Sequence, residues 1–164
     1  MAEKPITIFA KTLSRIRSED GLTVIPEKSI DELNLNEYDS LLLPGAIDIR
    51  EAIEDNAILD FIKKFEGMPI GAISIAPLLL LKAGLLEGKP FMAGVNPEDL
   101  FEEGYTTDDL ALMIGWDASL ENPIPEGYIQ SGSIVTSVSY NFVRWALAFG
   151  KMLGIDLSPK TFGL

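Results

Sequence analysis

Apolar positions in this chain fall into short runs with two spacings, one of strand type and one of helix type, and the runs alternate. Residues 6–10 form the first strand-like run. Residues 22–25 lie between Asp20-Gly21, a turn signal, and Pro26, which ends a run, so they read as a short strand or hairpin arm. Ser29 with Glu32 three residues on is a capping-box pattern, predicting a brief helix toward Leu35. Residues 40–43 stop abruptly at Pro44-Gly45, as a buried parallel strand does at the carboxyl edge of a sheet, where functional groups collect. Over 56–66 the residues Ala57, Ile58, Phe61, Ile62 and Phe65 keep helical spacing and Gly67 supplies the stop, predicting a crossover helix.

Two fully apolar segments follow, a strand over 68–73 and a helix over 78–83 ending at Gly84, and both are predicted to be central. Residues 90–93 are a further strand. The polar stretch with Glu98, Asp99, Glu102, Glu103, Asp108 and Asp109 reads as a solvated helix face or loop, since no motif arranges these carboxylates around a metal. Residues 128–130 and 134–137 flank Ser131-Gly132 as a strand pair, and Ser139 is placed to cap a closing helix running to 153. That helix has two apolar faces, Val143, Ala146, Leu147 and Gly150 on one and Phe142, Trp145, Phe149 and Met152 on the other. The second needs a cover, either the tail through Phe162 or a second subunit. Alternating strands and helices predict an α/β layer fold with a mostly parallel sheet.

Length changes the picture little: 164 residues suit a single domain over 1–164. Charge changes it more, because 13 basic against 25 acidic residues leave a net −12 that repels a phosphate backbone, so no nucleic-acid partner is expected. The longest apolar stretch, 70–81, is interrupted by Ser74 and Pro77 and is shorter than the ~18 residues of a membrane span. No secretory leader is evident, no membrane association is expected, and a cytoplasmic setting is the default reading. The chain has no cysteine and no histidine, which removes disulfides, thiolate nucleophiles, imidazole bases and the commonest metal ligands. Neither a metal nor a cofactor is expected.

The informative segment is Ile70-Gly71-Ala72-Ile73-Ser74-Ile75-Ala76-Pro77, an apolar strand running into an apolar helix with Ser74 at the corner. Small residues two positions to either side, Ala72 and Ala76, match a nucleophile-elbow pattern, in which a sharp turn presents its central side chain above the sheet. A serine capping a buried helix has the same spacing.

Together with Tyr38-Asp39-Ser40-Leu41-Leu42-Leu43-Pro44-Gly45 and Leu80-Leu81-Lys82-Ala83-Gly84-Leu85-Leu86-Glu87-Gly88-Lys89, this segment resembles the ThiJ/PfpI superfamily of the class I glutamine amidotransferase-like fold. Its members are described as intracellular proteases, amidases or protein deglycases, with glyoxalases among their relatives. The resemblance is specific over 38–89, extends plausibly to 134–153 and is poor over 91–127. It implies a flavodoxin-like three-layer sandwich with a mostly parallel central sheet and helices on both faces, assembled as a homodimer, with a reactive cysteine at the elbow.

In this chain the cysteine position is Ser74, and the place of a partner histidine falls near Met92, Ala93 or Gly94. The family's Pro-Gly-Gly loop reads Pro44-Gly45-Ala46, so the amides of Gly45, Ala46 and Ile75 are the candidate oxyanion hole. The family's first strand and helix, which carry a glutamate beside the cysteine, find no counterpart, and a parallel sheet without its inner strand is expected to leave backbone unpaired.

A serine needs a base, and without histidine that base has to be a carboxylate or a lysine. Lys82, two turns along the elbow's helix, is expected to point away, and the sequence does not place Lys11 or Lys89. Three readings stay open: a catalytically altered member binding a small anionic or carbonyl ligand, or acting as a regulatory dimer; a serine-dependent amidase or esterase using Ser74; and Ser74 as an engineered replacement for a reactive cysteine. Trp116, Tyr105 and Tyr128 are expected to cover the core beneath a long loop, the alternative being a pocket lid.

Overall fold

A computed structural model describes residues 4–18 and 20–164. They form two compact units, one reaching to Asp39 and the other running from Ser40 to Leu164.

In the first unit β1 (Phe9–Ala10) pairs in parallel with the last strand, while β2 (Ile16–Arg17) and β3 (Thr23–Val24) make an antiparallel hairpin, and β4 (Lys28–Ser29) completes the pair with β1. Gly21, at φ +84°, closes the hairpin, and its N–H donates to the Ser18 carbonyl at 2.9 Å. Only the end of the run at 6–10 is paired, because the Glu27 carboxylate takes the Ile8 N–H at 2.8 Å in place of a neighbouring strand. The expected helix after Ser29 does not form. Glu32 does accept from the Ser29 N–H and hydroxyl, both at 2.9 Å, but Ile30 N–H is committed to the Ala10 carbonyl at 3.0 Å, so the pattern closes a turn. A 3-10 turn at Leu35–Glu37, capped by Asn34, follows. Pro26 is the one buried residue among those described in this unit.

The second unit runs β5 (Leu41–Leu43), α1 (Arg50–Ile53), α2 (Asn56–Lys63), β6 (Ile70–Ile73), α3 (Pro77–Lys82), β7 (Phe91–Met92), α4 (Pro97–Phe101), α5 (Thr107–Leu110), β8 (Met113–Ile114), α6 (Trp116–Glu121), β9 (Ile129–Ser131), β10 (Ile134–Ser137) and α7 (Phe142–Met152). Its main sheet has the order β5-β6-β10-β9, parallel throughout except at β9, and β7 pairs in parallel with β8. This is an α/β sandwich of the flavodoxin type. All four residues of β6 and of β10 are buried, so both faces of the sheet are covered.

One cover is α7, whose Trp145 and Phe149 pack with Ile73 and Val135. The close approach depends on Gly71, where a Cβ would lie 2.9 Å from the Phe149 ring and 3.1 Å from Trp145. The C-terminal tail folds back on α7, with Ile155 N–H donating to Gly150 at 2.8 Å and Ile155 packing over that glycine. Phe142, counted on the same face as Trp145 from spacing, is exposed because it stands at the first turn, ahead of the contact with the sheet. Ser139 caps nothing; it begins a 3-10 turn through Asn141 that leads into α7. β5 is an edge strand within this unit and Leu42 is exposed, so the expectation of a strand buried on both faces fails there. The acidic stretch forms α4 and α5, the latter opened by a reciprocal Thr106–Asp109 capping box. Among the described residues, no helix is long and apolar enough to cross a membrane.

Candidate functional site at the strand–helix corner

β6 is apolar and β-branched at both ends, and Pro77 fits the first turn of α3, where its missing N–H is no loss, so the chain must turn within Ser74-Ile75-Ala76. The turn falls on Ser74, whose φ is +61°, a left-handed conformation found at no other described non-glycine residue. Such a conformation costs a residue with a Cβ about 1–2 kcal/mol. It is held from both sides: Ser74 N–H donates to the Ser137 carbonyl at 2.9 Å, and Gly94 N–H donates to the Ser74 carbonyl at 2.7 Å.

Two glycines make room for the serine. A Cβ on Gly45 would lie 2.5 Å from Ser74 Cβ and 3.0 Å from its Oγ; one on Gly94 would lie 3.1 Å from Ser74 Cα and 3.3 Å from Oγ. The structure thus brings Gly45, with Ala46 next in the chain, beside Ser74 and Ile75. The amides of Gly45, Ala46 and Ile75 donate to no acceptor among the described residues, so they are free to meet an oxygen. Gly94, which sequence reasoning treated only as a place for an absent imidazole, is a wall of the site.

No described residue hydrogen-bonds the Ser74 hydroxyl. Lys82 carries its ammonium 5.5 Å above the Tyr105 ring, and Lys89 donates to the Leu85 carbonyl at 2.9 Å, so neither serves as a base. A cavity of about 210 Å³ opens beside Ile75, with aliphatic walls from Ile47, Ile49, Ile53, Ile75 and Leu78. Asp48, Arg50 and Glu103 supply its polar part. Asp48 accepts from Arg50 Nε at 3.0 Å and from its N–H at 2.9 Å, and Arg50 thereby holds the carboxyl down at about 2. Asp48 therefore stays ionised above that range, and the pair is lost only as pH falls through it. A larger cleft, about 490 Å³, lies at the opposite ends of the strands, bordered by Glu66, Lys89 and Gly132, and takes no part in the corner. Among the described residues no group of three or more carboxylates is placed to hold a metal.

The aromatic residues singled out from the sequence cover structure. Trp116 meets Tyr140 edge to face at 5.2 Å, and Tyr128 packs on the Trp145 cluster. Tyr105 buries its hydroxyl without a hydrogen-bond partner among the described residues, and burial, reinforced by Glu103 and Asp109, pushes the phenol up to about 12. Burial penalises the phenolate alone, so this group's ionisation leaves the unfolding free energy unchanged below its ordinary 10.0 and lowers it as pH rises toward about 12. The expected result is one tyrosine titrating late at 295 nm, with unfolding free energy falling over that window. Tyr105→Phe abolishes both the late titration and the window, and raises stability by about 1 kcal/mol at neutral pH by deleting an unsatisfied buried hydroxyl.

Comparison with known proteins places this geometry. The DJ-1/PfpI family model matches residues 2–151. Protein/nucleic acid deglycase 2 of Escherichia coli is 35% identical over 85 residues, 51% of this chain and 48% of that protein. Deglycase PfpI of Pyrococcus furiosus is 34% identical over 76 residues, 45% of this chain and 46% of the relative. The chain thus spans about half the length of these curated relatives in its matches. A DJ-1 superfamily protein from Agrobacterium tumefaciens superposes with a TM-score of 0.70 at 21% identity, covering 95% of this chain and 78% of that one. With a family model matched along nearly its whole length and the same fold in solved relatives, this chain belongs to the DJ-1/PfpI family.

Proposed function

We propose that the corner at Ser74 binds a short aliphatic carbonyl compound without bonding to it covalently, the catalysis suggested by the relatives' names being altered or lost in this chain. The observation that carries this reading is a strained serine in contact with Gly45 and followed by Ile75, where the amides of Gly45, Ala46 and Ile75 donate to no acceptor and no base hydrogen-bonds the hydroxyl among the described residues. Free amides receive an oxygen carrying partial or full negative charge. An unassisted serine hydroxyl is a weak nucleophile at neutral pH. The neighbouring cavity has five aliphatic walls and two carboxylates against one guanidinium, so it suits a neutral carbonyl better than an anion. Relatives named deglycases support a carbonyl chemistry in the ancestry of the site. A cytoplasmic setting belongs to the same proposal.

The test combines a fluorophosphonate probe, located by mass spectrometry in the wild type and in Ser74→Ala, with an amide NMR titration using isobutyraldehyde. The expected result is no adduct at Ser74 and saturable shifts at Gly45, Ala46 and Ile75. An adduct at Ser74 that disappears in the variant would make the chain a serine-dependent hydrolase instead. Unmoved amides would remove the ligand site altogether.

A further inference from the structure

The cavity beside Ile75 is lined by three charged groups, Asp48, Arg50 and Glu103, and their charges do not cancel. Asp48 and Arg50 satisfy each other. The guanidinium Nε lies 3.0 Å from both carboxylate oxygens, Nη2 meets one of them, and the Arg50 N–H donates to the same carboxylate at 2.9 Å. Glu103, two residues beyond the end of α4, is exposed, and its carboxylate accepts no hydrogen bond and forms no ion pair among the described residues. Two carboxylates against one guanidinium leave the lining with one net negative charge, carried by the group that has no partner. The same cavity is lined by Ile75 and by Ile47, which follows Ala46, so the amide donors that would receive a carbonyl oxygen border it as well.

We infer that Glu103 sets the charge preference of this pocket, so that its best ligand is a short aliphatic carbonyl compound bearing an ammonium group, with a neutral isostere weaker and a keto acid weakest. The inference rests on the carbonyl-binding reading of the Ser74 corner. Glu103 attracts the ammonium and repels the carboxylate, and Arg50 does not reverse this order because its guanidinium is committed to Asp48. Solvent reaches Glu103, so each step in the order is a few-fold effect and is screened by salt.

Amide NMR titrations of the full chain with three ketones sharing an isopropyl group test it: aminomethyl isopropyl ketone, methyl isopropyl ketone and α-ketoisovalerate. At about pH 6 the amine is protonated and the acid ionised. Dissociation constants read from the Gly45, Ala46 and Ile75 amides are expected to rise about threefold at each step along that series at low salt, and less at high salt. Glu103→Gln brings all three within about twofold, and Glu103→Lys inverts the order. Glu102→Gln makes the same charge change at an exposed neighbour outside the cavity lining and is expected to leave the order intact. Amides unmoved by all three ketones would overturn the carbonyl-binding reading and this inference with it. Equal affinities, an order that survives Glu103→Gln, or an order that Glu102→Gln also removes would overturn the role of Glu103 and leave that reading standing.

Discussion

Trp145→Ala is expected to lower the unfolding free energy by about 3–5 kcal/mol, the range for removing a large buried aromatic from a packed core. The ring is 6% exposed, stacks on Phe149 with centroids 6.1 Å apart, and donates from Nε1 to the Val135 carbonyl at 3.1 Å. Truncation therefore opens a cavity over Gly71 and Val135 and also removes the indole donor to the Val135 carbonyl. Urea unfolding followed by far-UV circular dichroism measures the loss, with Phe142→Ala as the internal comparison. Phe142 is exposed on the same helix, and its truncation is expected to stay within about 0.5 kcal/mol. Similar losses for the two variants would show that α7 is not held to the sheet by the Trp145 contact.

Gly45→Ala is expected to cost about 1–3 kcal/mol, as overpacking does, because its new Cβ would meet Ser74 Cβ at 2.5 Å. Both atoms sit directly on backbone, so neither can swing aside as a long side chain would. The decisive measurement is a double-mutant cycle with Ser74→Gly. Alone, Ser74→Gly changes stability little, within about 1 kcal/mol, since relief of the left-handed strain is offset by the greater freedom of glycine in the unfolded chain. Combined with Gly45→Ala it removes the colliding atom, and at least about 1 kcal/mol of the loss is expected to return as coupling. Additive effects would mean that Gly45 and Ser74 do not confront each other. The same variant moves the Gly45 amide, so Gly45→Ala alone is also expected to weaken the aldehyde-induced NMR shifts.

Much of the second unit was legible because its segments carry one unambiguous period each. β6, α2, α3, β10 and α7 fall within one to three residues of their expected ends, since a buried strand or amphipathic helix repeats its signal at every turn. The first unit was less legible. Capping chemistry at Ser29 and Glu32 is local and was read correctly as a pair of interactions, but strand pairing with Ala10 decided that they close a turn. Short elements such as α1 and β8 were missed because four or two residues hold only about one period, which gives no repeat to recognise.

At the site, residue types and tertiary structure divide the work. The absence of cysteine and histidine, the apolar strand meeting an apolar helix at Ser74, and the Pro44-Gly45 stop are properties of the chain alone, since each depends only on which side chains occur and in what order. The left-handed turn at Ser74, the fit of Gly45 and Gly94 around it, the Asp48–Arg50 pair beside the cavity and the lack of a base on the Ser74 hydroxyl among the described residues came from the fold. They join residues just past the ends of β5, β6 and β7 that lie up to about fifty positions apart, and such contacts depend on sheet order and register, to which no local periodicity is sensitive.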